Sequence, residues 1–112
     1  MYANYKLYTL DYKFIKETSN VPTNFSGILQ NVHGSIYWYL NNKLHREDGP
    51  AIIYWNNTKM WIRHGELHRL DGYAVESYLD DDNNNEYWIL GKKYSKEQYP
   101  LLSDLIKLKG LT

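Results

Sequence analysis

The 112-residue chain has no cysteine, three prolines, two phenylalanines and no excess of either charge, with 13 basic and 13 acidic side chains. Without cysteine there can be no disulfides, thiolate zinc sites or cysteine nucleophiles, and the chain suits a reducing compartment. Apolar residues come only in short runs, whereas a membrane-spanning helix needs about 20 in succession. Lys6, Asp11, Lys13, Lys16 and Glu17 fall where a secretory signal would be apolar. The expectation is therefore a cytoplasmic protein with no membrane partner. The length suits one domain.

Aromatic residues are abundant: 12 Tyr and 4 Trp take the aromatic share to 16%, which favours strands and interfaces over helical bundles. The chain also repeats itself. Leu44-His45-Arg46-Glu47-Asp48-Gly49-Pro50-Ala51 recurs 23 residues later as Leu67-His68-Arg69-Leu70-Asp71-Gly72-Tyr73-Ala74. At the same offset Trp38 answers Trp61 and Val32 answers Trp55. A third pass starts at Tyr87, displaced by an insertion within Asp80 to Asn85.

Each unit reads as β-rich runs around tight turns, as in Ala51 to Trp55, Asn56-Asn57-Thr58, then Lys59 to Arg63. Gly34 and Asn57 sit where a turn needs positive φ, and further turns fall at Asn41-Asn42 and His64-Gly65. One hairpin cannot bury its own face, so neighbouring hairpins are expected to join in one twisted antiparallel sheet. The fold class is mainly β: an antiparallel meander of repeated β-hairpins capped by a C-terminal α-helix. The single domain, 1–112, comprises N-terminal cap strands and loop (1–26), hairpin repeats (27–94) and the helix (95–110). Tyr2, Tyr5, Tyr8, Leu10, Tyr12 and Phe14 suggest one or two edge strands. Ser95 with Gln98 fits a capping box, Pro100 marks the helix start or a kink, and Gly110 is its C′ stop. The stripe Leu101, Leu102, Leu105, Ile106 and Leu108 is expected to cover the end or one face of the sheet.

The phrase Leu44 to Ala51, preceded by Trp38-Tyr39 and Asn41-Asn42-Lys43, resembles the MORN-like hairpin repeat of many phage and large-virus open reading frames. Trp38 to Lys59 matches almost a full copy and Trp61 to Ala74 a degenerate one, in which Leu70 replaces Glu and Tyr73 replaces Pro. The resemblance covers about residues 27 to 108 and brings over no catalytic residues. It implies a small phage-encoded β-repeat protein acting by contact in a host cytoplasm, and compact proteins of that origin often inhibit a host enzyme or defence complex.

His45 with Asp48 and His68 with Asp71 could be read as base and orienter or as metal ligands, if they converged. Repetition favours structure, because a scaffold needs its turn in every copy whereas an active site is needed once. On that reading His45, Asp48, Gly49, His68, Asp71 and Gly72 are structural turn residues, with the aspartates bonding turn backbone. Asp80, Asp82, Asn84 and Glu86 alternate like half a calcium loop, but Asn85 and Gly91 occupy the positions that need glycine and glutamate. No phosphate loop, nucleophile elbow or zincin helix is present. The expectation is no catalytic residue, no metal and no cofactor.

Residues 1–43 and 92–112 are net basic, whereas residues 44–91 are acidic, which disfavours direct duplex DNA binding. The charge pattern better suits a host protein or a protein–nucleic acid complex. Trp38, Trp61 and Tyr87 are expected to stack in a core ladder, and Tyr39, Ile62 and Trp88 to face the other side, partly exposed. Candidate contact residues are Tyr39, Trp55, Tyr78 and Trp88 with the acidic Asp80, Asp81 and Asp82. A binding protein, monomeric or a small homo-oligomer, that blocks a host protein is the leading expectation. A sink for a nucleotide or signalling molecule held between aromatic rings and an enzyme using the repeated histidines are the alternatives.

Overall fold

The computed structural model describes residues 4–110, so the expectation that Tyr2 contributes to an edge strand falls outside it. Strands β1 (Tyr5–Tyr8), β2 (Phe14–Thr18), β3 (Gly27–Asn31), β4 (Ile36–Leu40), β5 (Lys43–Leu44), β6 (Ile52–Ile53), β7 (Lys59–Met60), β8 (Ile62–Arg63), β9 (Glu66–Leu67), β10 (Val75–Glu76), β11 (Tyr87–Ile89) and β12 (Lys92–Tyr94) precede one helix, α1 (Tyr99–Leu108). The fold is mainly β, an antiparallel meander with a C-terminal helix, drawn out to 50 × 31 × 19 Å.

Strands run in the order β10-β7-β6-β4-β3-β1-β2, with β5 also on β4, while β8–β9 and β11–β12 form separate two-stranded ribbons. The expected single sheet is thus divided, and Trp61 is where it divides. Its N–H donates to Ala74 O and its carbonyl accepts from His68 N–H, so β7 pairs back into the sheet and β8 forward into the ribbon. Of the N-terminal strands only β2 lies at the edge; β1 is interior, between β2 and β3. A row of mutually opposed residues, Leu7, Leu29, Tyr37, Ile52, Met60 and Val75, crosses the sheet and contributes to its core. Leu7, Leu29, Ile52 and Val75 in this row are buried.

Two turn types alternate. The first is a β-turn closed by an N–H three residues on, at Asn31–Gly34, Tyr54–Asn57 and Ser77–Asp80. In each the last residue has positive φ: 91° at Gly34, 72° at Asn57 and 47° at Asp80, the pattern of a type I turn followed by a left-handed residue. The second has positive φ at both central residues, Asn41-Asn42, His64-Gly65 and Leu90-Gly91, which matches the right-handed strand twist. These two sets lie at opposite ends of the strands.

Candidate interaction surface

The Leu-His-Arg turns lock one unit to the next. Nδ1 of His45 accepts the His64 N–H at 2.9 Å, and Nδ1 of His68 accepts the Leu90 N–H at 3.0 Å. Each bond satisfies the first residue of the next two-residue turn, one that carries the strain of positive φ. Both rings are buried and, with Nδ1 accepting, the neutral form carries its proton on Nε2. Burial lowers both pKa values; His64 and Arg63 add to this at His45, and Arg63 at His68.

The arginines pack on the repeated tryptophans, with guanidinium carbons 4.0 Å (Arg46 on Trp38) and 3.7 Å (Arg69 on Trp61) from the ring centroids. Arg46 also donates to Pro50 O and Arg69 to Tyr73 O. The expected ladder of aromatic rings is therefore one of tryptophan–arginine pairs. Gly49 makes room for it, since a Cβ there would lie 2.9 Å from the Arg46 guanidinium carbon. The aspartates do not bond turn backbone as expected. Asp48 pairs with Arg46 at 3.0 Å and Asp71 with Lys107 at 2.8 Å.

At the third unit no arginine is available, and Tyr87 is stacked between Tyr73 and Tyr99, at 4.3 and 4.1 Å. Tyr99 Oη donates to Arg69 O and accepts the Gly72 N–H, and Ser103 Oγ donates to Leu70 O. The helix thus closes the last repeat through Tyr99 and Ser103, its two buried residues. The leucine stripe does not do so: Leu102 and Ile106 are half-buried, while Leu101, Leu105 and Leu108 are exposed. Ser95 and Gln98 form the reciprocal capping box, and Pro100 sits in the first turn.

Of the expected contact aromatics, Tyr39 is half-buried against Phe25, and Trp88 is half-buried with Nε1 donating to Glu86. Ile62, expected on the same side, is buried. Trp55 (71%) and Tyr78 (59%) are exposed, and so is Val32 (67%). These three are 23 residues apart and each is the second residue of the same β-turn, at Asn31–Gly34, Tyr54–Asn57 and Ser77–Asp80. Their links repeat too: Trp55 N–H donates to Ser35 Oγ at 3.0 Å and Tyr78 N–H to Thr58 Oγ1 at 3.1 Å. The turns join β3–β4, β6–β7 and β10–β11, so they share one end of the sheet. The signal for this row was the repeat offset itself, followed through the turns rather than through the strands.

The loop beside Tyr78 carries Asp80, Asp81 and Asp82, all exposed. Asp81 caps Asn83 and Asn84, while Asp82 accepts from Tyr73 Oη and lies 3.8 Å from Lys96. The Asp82 contact raises the Tyr73 pKa. Among the described residues no three His, Asp or Glu side chains gather to hold a metal ion, and no helix is long and apolar enough to cross a membrane. No family model, curated protein or solved structure matches the chain.

Proposed function

We propose that this is a non-enzymatic binding protein, phage-encoded and of the MORN-like hairpin type, that acts in the host cytoplasm by binding and blocking a host protein. The observation that carries this reading is the row Val32, Trp55 and Tyr78, three large apolar side chains that the same turn holds in solvent in successive units. Exposed aromatics on rigid turns lose little side-chain entropy on binding and are the residues that most often dominate interface energy. The histidines and arginines of the repeat are already committed to backbone and ring contacts, which favours a scaffold over a catalyst.

Affinity capture from host lysate with the wild type and with Trp55→Ala/Tyr78→Ala tests the proposal. Retention of one partner by the wild type and its loss with the folded double variant is expected. Identical capture by both proteins removes the row as the interface.

A second reading has one observation in its favour. A cavity of about 680 Å³ between the two Leu-His-Arg turns is lined by Trp61 and by four cations, Arg46, Arg63, Arg69 and Lys107, against three carboxylates, Glu47, Asp48 and Asp71, a weakly positive site with a ring that would suit a nucleotide. Thermal shift with adenosine and cyclic nucleotides tests it, since a ligand at a hundredfold excess over its Kd adds about 2.7 kcal/mol.

A further inference from the structure

We infer that the row of turn residues is a docking ridge for an extended, proline-rich segment of the partner, with cationic residues at the end that meets Asp80 and Asp81. This inference rests on the reading of the Val32–Trp55–Tyr78 row as the interface, and names the chemistry of the occupant.

Spacing selects the occupant. The three turns cap hairpins that succeed one another across the sheet, two strands apart. Neighbouring strands are about 4.8 Å apart, so equivalent residues repeat about every 9.6 Å and the row spans about 19 Å. A bound peptide must present side chains at that interval. A β-strand repeats a face every two residues, about 6.8 Å, and falls out of register after one step. An α-helix repeats a face near seven residues, about 10.5 Å, and is about 2 Å too long over two steps. A polyproline II helix has three residues per turn and a 3.1 Å rise, so it repeats about every 9.3 Å and misses by about 0.6 Å over the same distance.

The surface chemistry agrees with the spacing. Flat tyrosine and tryptophan faces with gaps between them receive the pyrrolidine rings of such a helix, which enters already ordered. Trp55 and Tyr78 supply those faces, and Val32 a smaller apolar step at the far end. Charge gives polarity. The loop of three aspartates adjoins Tyr78, whereas at the far end the carboxylate that shares a concavity with Val32, Glu17, lies opposite Lys6 on the neighbouring strand. A cationic residue is therefore favoured at the Tyr78 end. Asp82 is paired with the cation Lys96, whereas Asp80 accepts from the Asn85 amide and Asp81 from Asn83 and Asn84, neutral donors that leave the negative charge of both available to a partner.

Isothermal titration with two synthetic peptides of about ten prolines, one with two arginines at its N-terminus and one with them at its C-terminus, tests the inference. A Gly-Ser peptide of the same length and charge is the control. Saturable binding of a proline peptide is expected, with one arginine placement favoured at least threefold at low salt. The Gly-Ser control should bind at least tenfold more weakly. Trp55→Ala and Tyr78→Ala should each reduce affinity about tenfold, and Asp80→Asn/Asp81→Asn should abolish the preference for arginine placement. Equal binding of the Gly-Ser peptide, binding unchanged by Trp55→Ala, or no saturable binding overturns the inference. Capture of a protein partner that needs Trp55 and Tyr78 but is not competed by either proline peptide also overturns it, while leaving the ridge as an interface.

Discussion

Acid should loosen this protein in a window set by His45 and His68. Each ring accepts a backbone N–H through Nδ1, and a protonated imidazole cannot accept. Burial is the main cause that lowers both folded-state pKa values below 6.5, with Arg63 contributing at both rings and His64 at His45. Glu47 beside His45 and Glu66 near His68 act in the opposite direction without reversing the shift. A depressed folded pKa means that the unfolded chain binds more protons. The associated stability is therefore complete above about pH 6.5 and is lost as pH falls below it, until the folded values are reached. Two such groups can make unfolding free energy fall by at most about 2.7 kcal/mol per pH unit. Replacing one ring by an apolar side chain at pH 7.5 should cost about 1–3 kcal/mol, the penalty of an unsatisfied N–H. His45→Asn/His68→Asn places an amide oxygen where Nδ1 stood and keeps the acceptor without the titration. Urea unfolding from pH 7.5 to 5.5, above the range where most carboxylates protonate, measures both effects. The wild type should lose stability more steeply than the double asparagine variant. Parallel pH profiles for the two proteins would refute the assignment of the histidines as neutral acceptors.

Other expectations follow from the same contacts. Tyr99→Phe leaves Arg69 O and Gly72 N–H without their partner and should cost about 2–4 kcal/mol, read as a fall in urea midpoint at unchanged slope. A double-mutant cycle on Trp61 and Arg69 should give a coupling of about 0.5–2 kcal/mol; a value near zero would mean that the guanidinium rests on the ring without attraction. Gly49→Ala should push Arg46 off Trp38 and destabilise by about 1–3 kcal/mol, whereas Gly34→Ala, with open space around it, should cost only the strain of its positive φ, about 1–2 kcal/mol.

Much of the architecture was legible because turns announce themselves locally. Asn41-Asn42, His64-Gly65, Gly34 and Asn57 occupy left-handed positions that few other residues tolerate, and they recur at the 23-residue offset of the Leu-His-Arg phrase. The capping box at Ser95 and a helix that begins next to Pro100, at Tyr99, were likewise readable from short-range chemistry. The partners of longer-range groups were not. Asp48 and Asp71 look like turn-capping residues until Arg46 and Lys107 are placed beside them. The leucines of α1 resemble a buried stripe, yet Tyr99 and Ser103 take the contact because their hydroxyls reach the free carbonyls of the last turn.

The sequence by itself determined the repeat, the hairpin turns and the mainly β class, because each rests on backbone preferences that act over a few residues. Only the tertiary structure decided which aromatics are covered. Tyr39 and Trp88 find Phe25 and Glu86, whereas Trp55 and Tyr78 are carried on turns that leave their side chains in solvent. Alternation along a strand assigns a side chain to a face; whether anything packs on that face depends on where the rest of the chain goes.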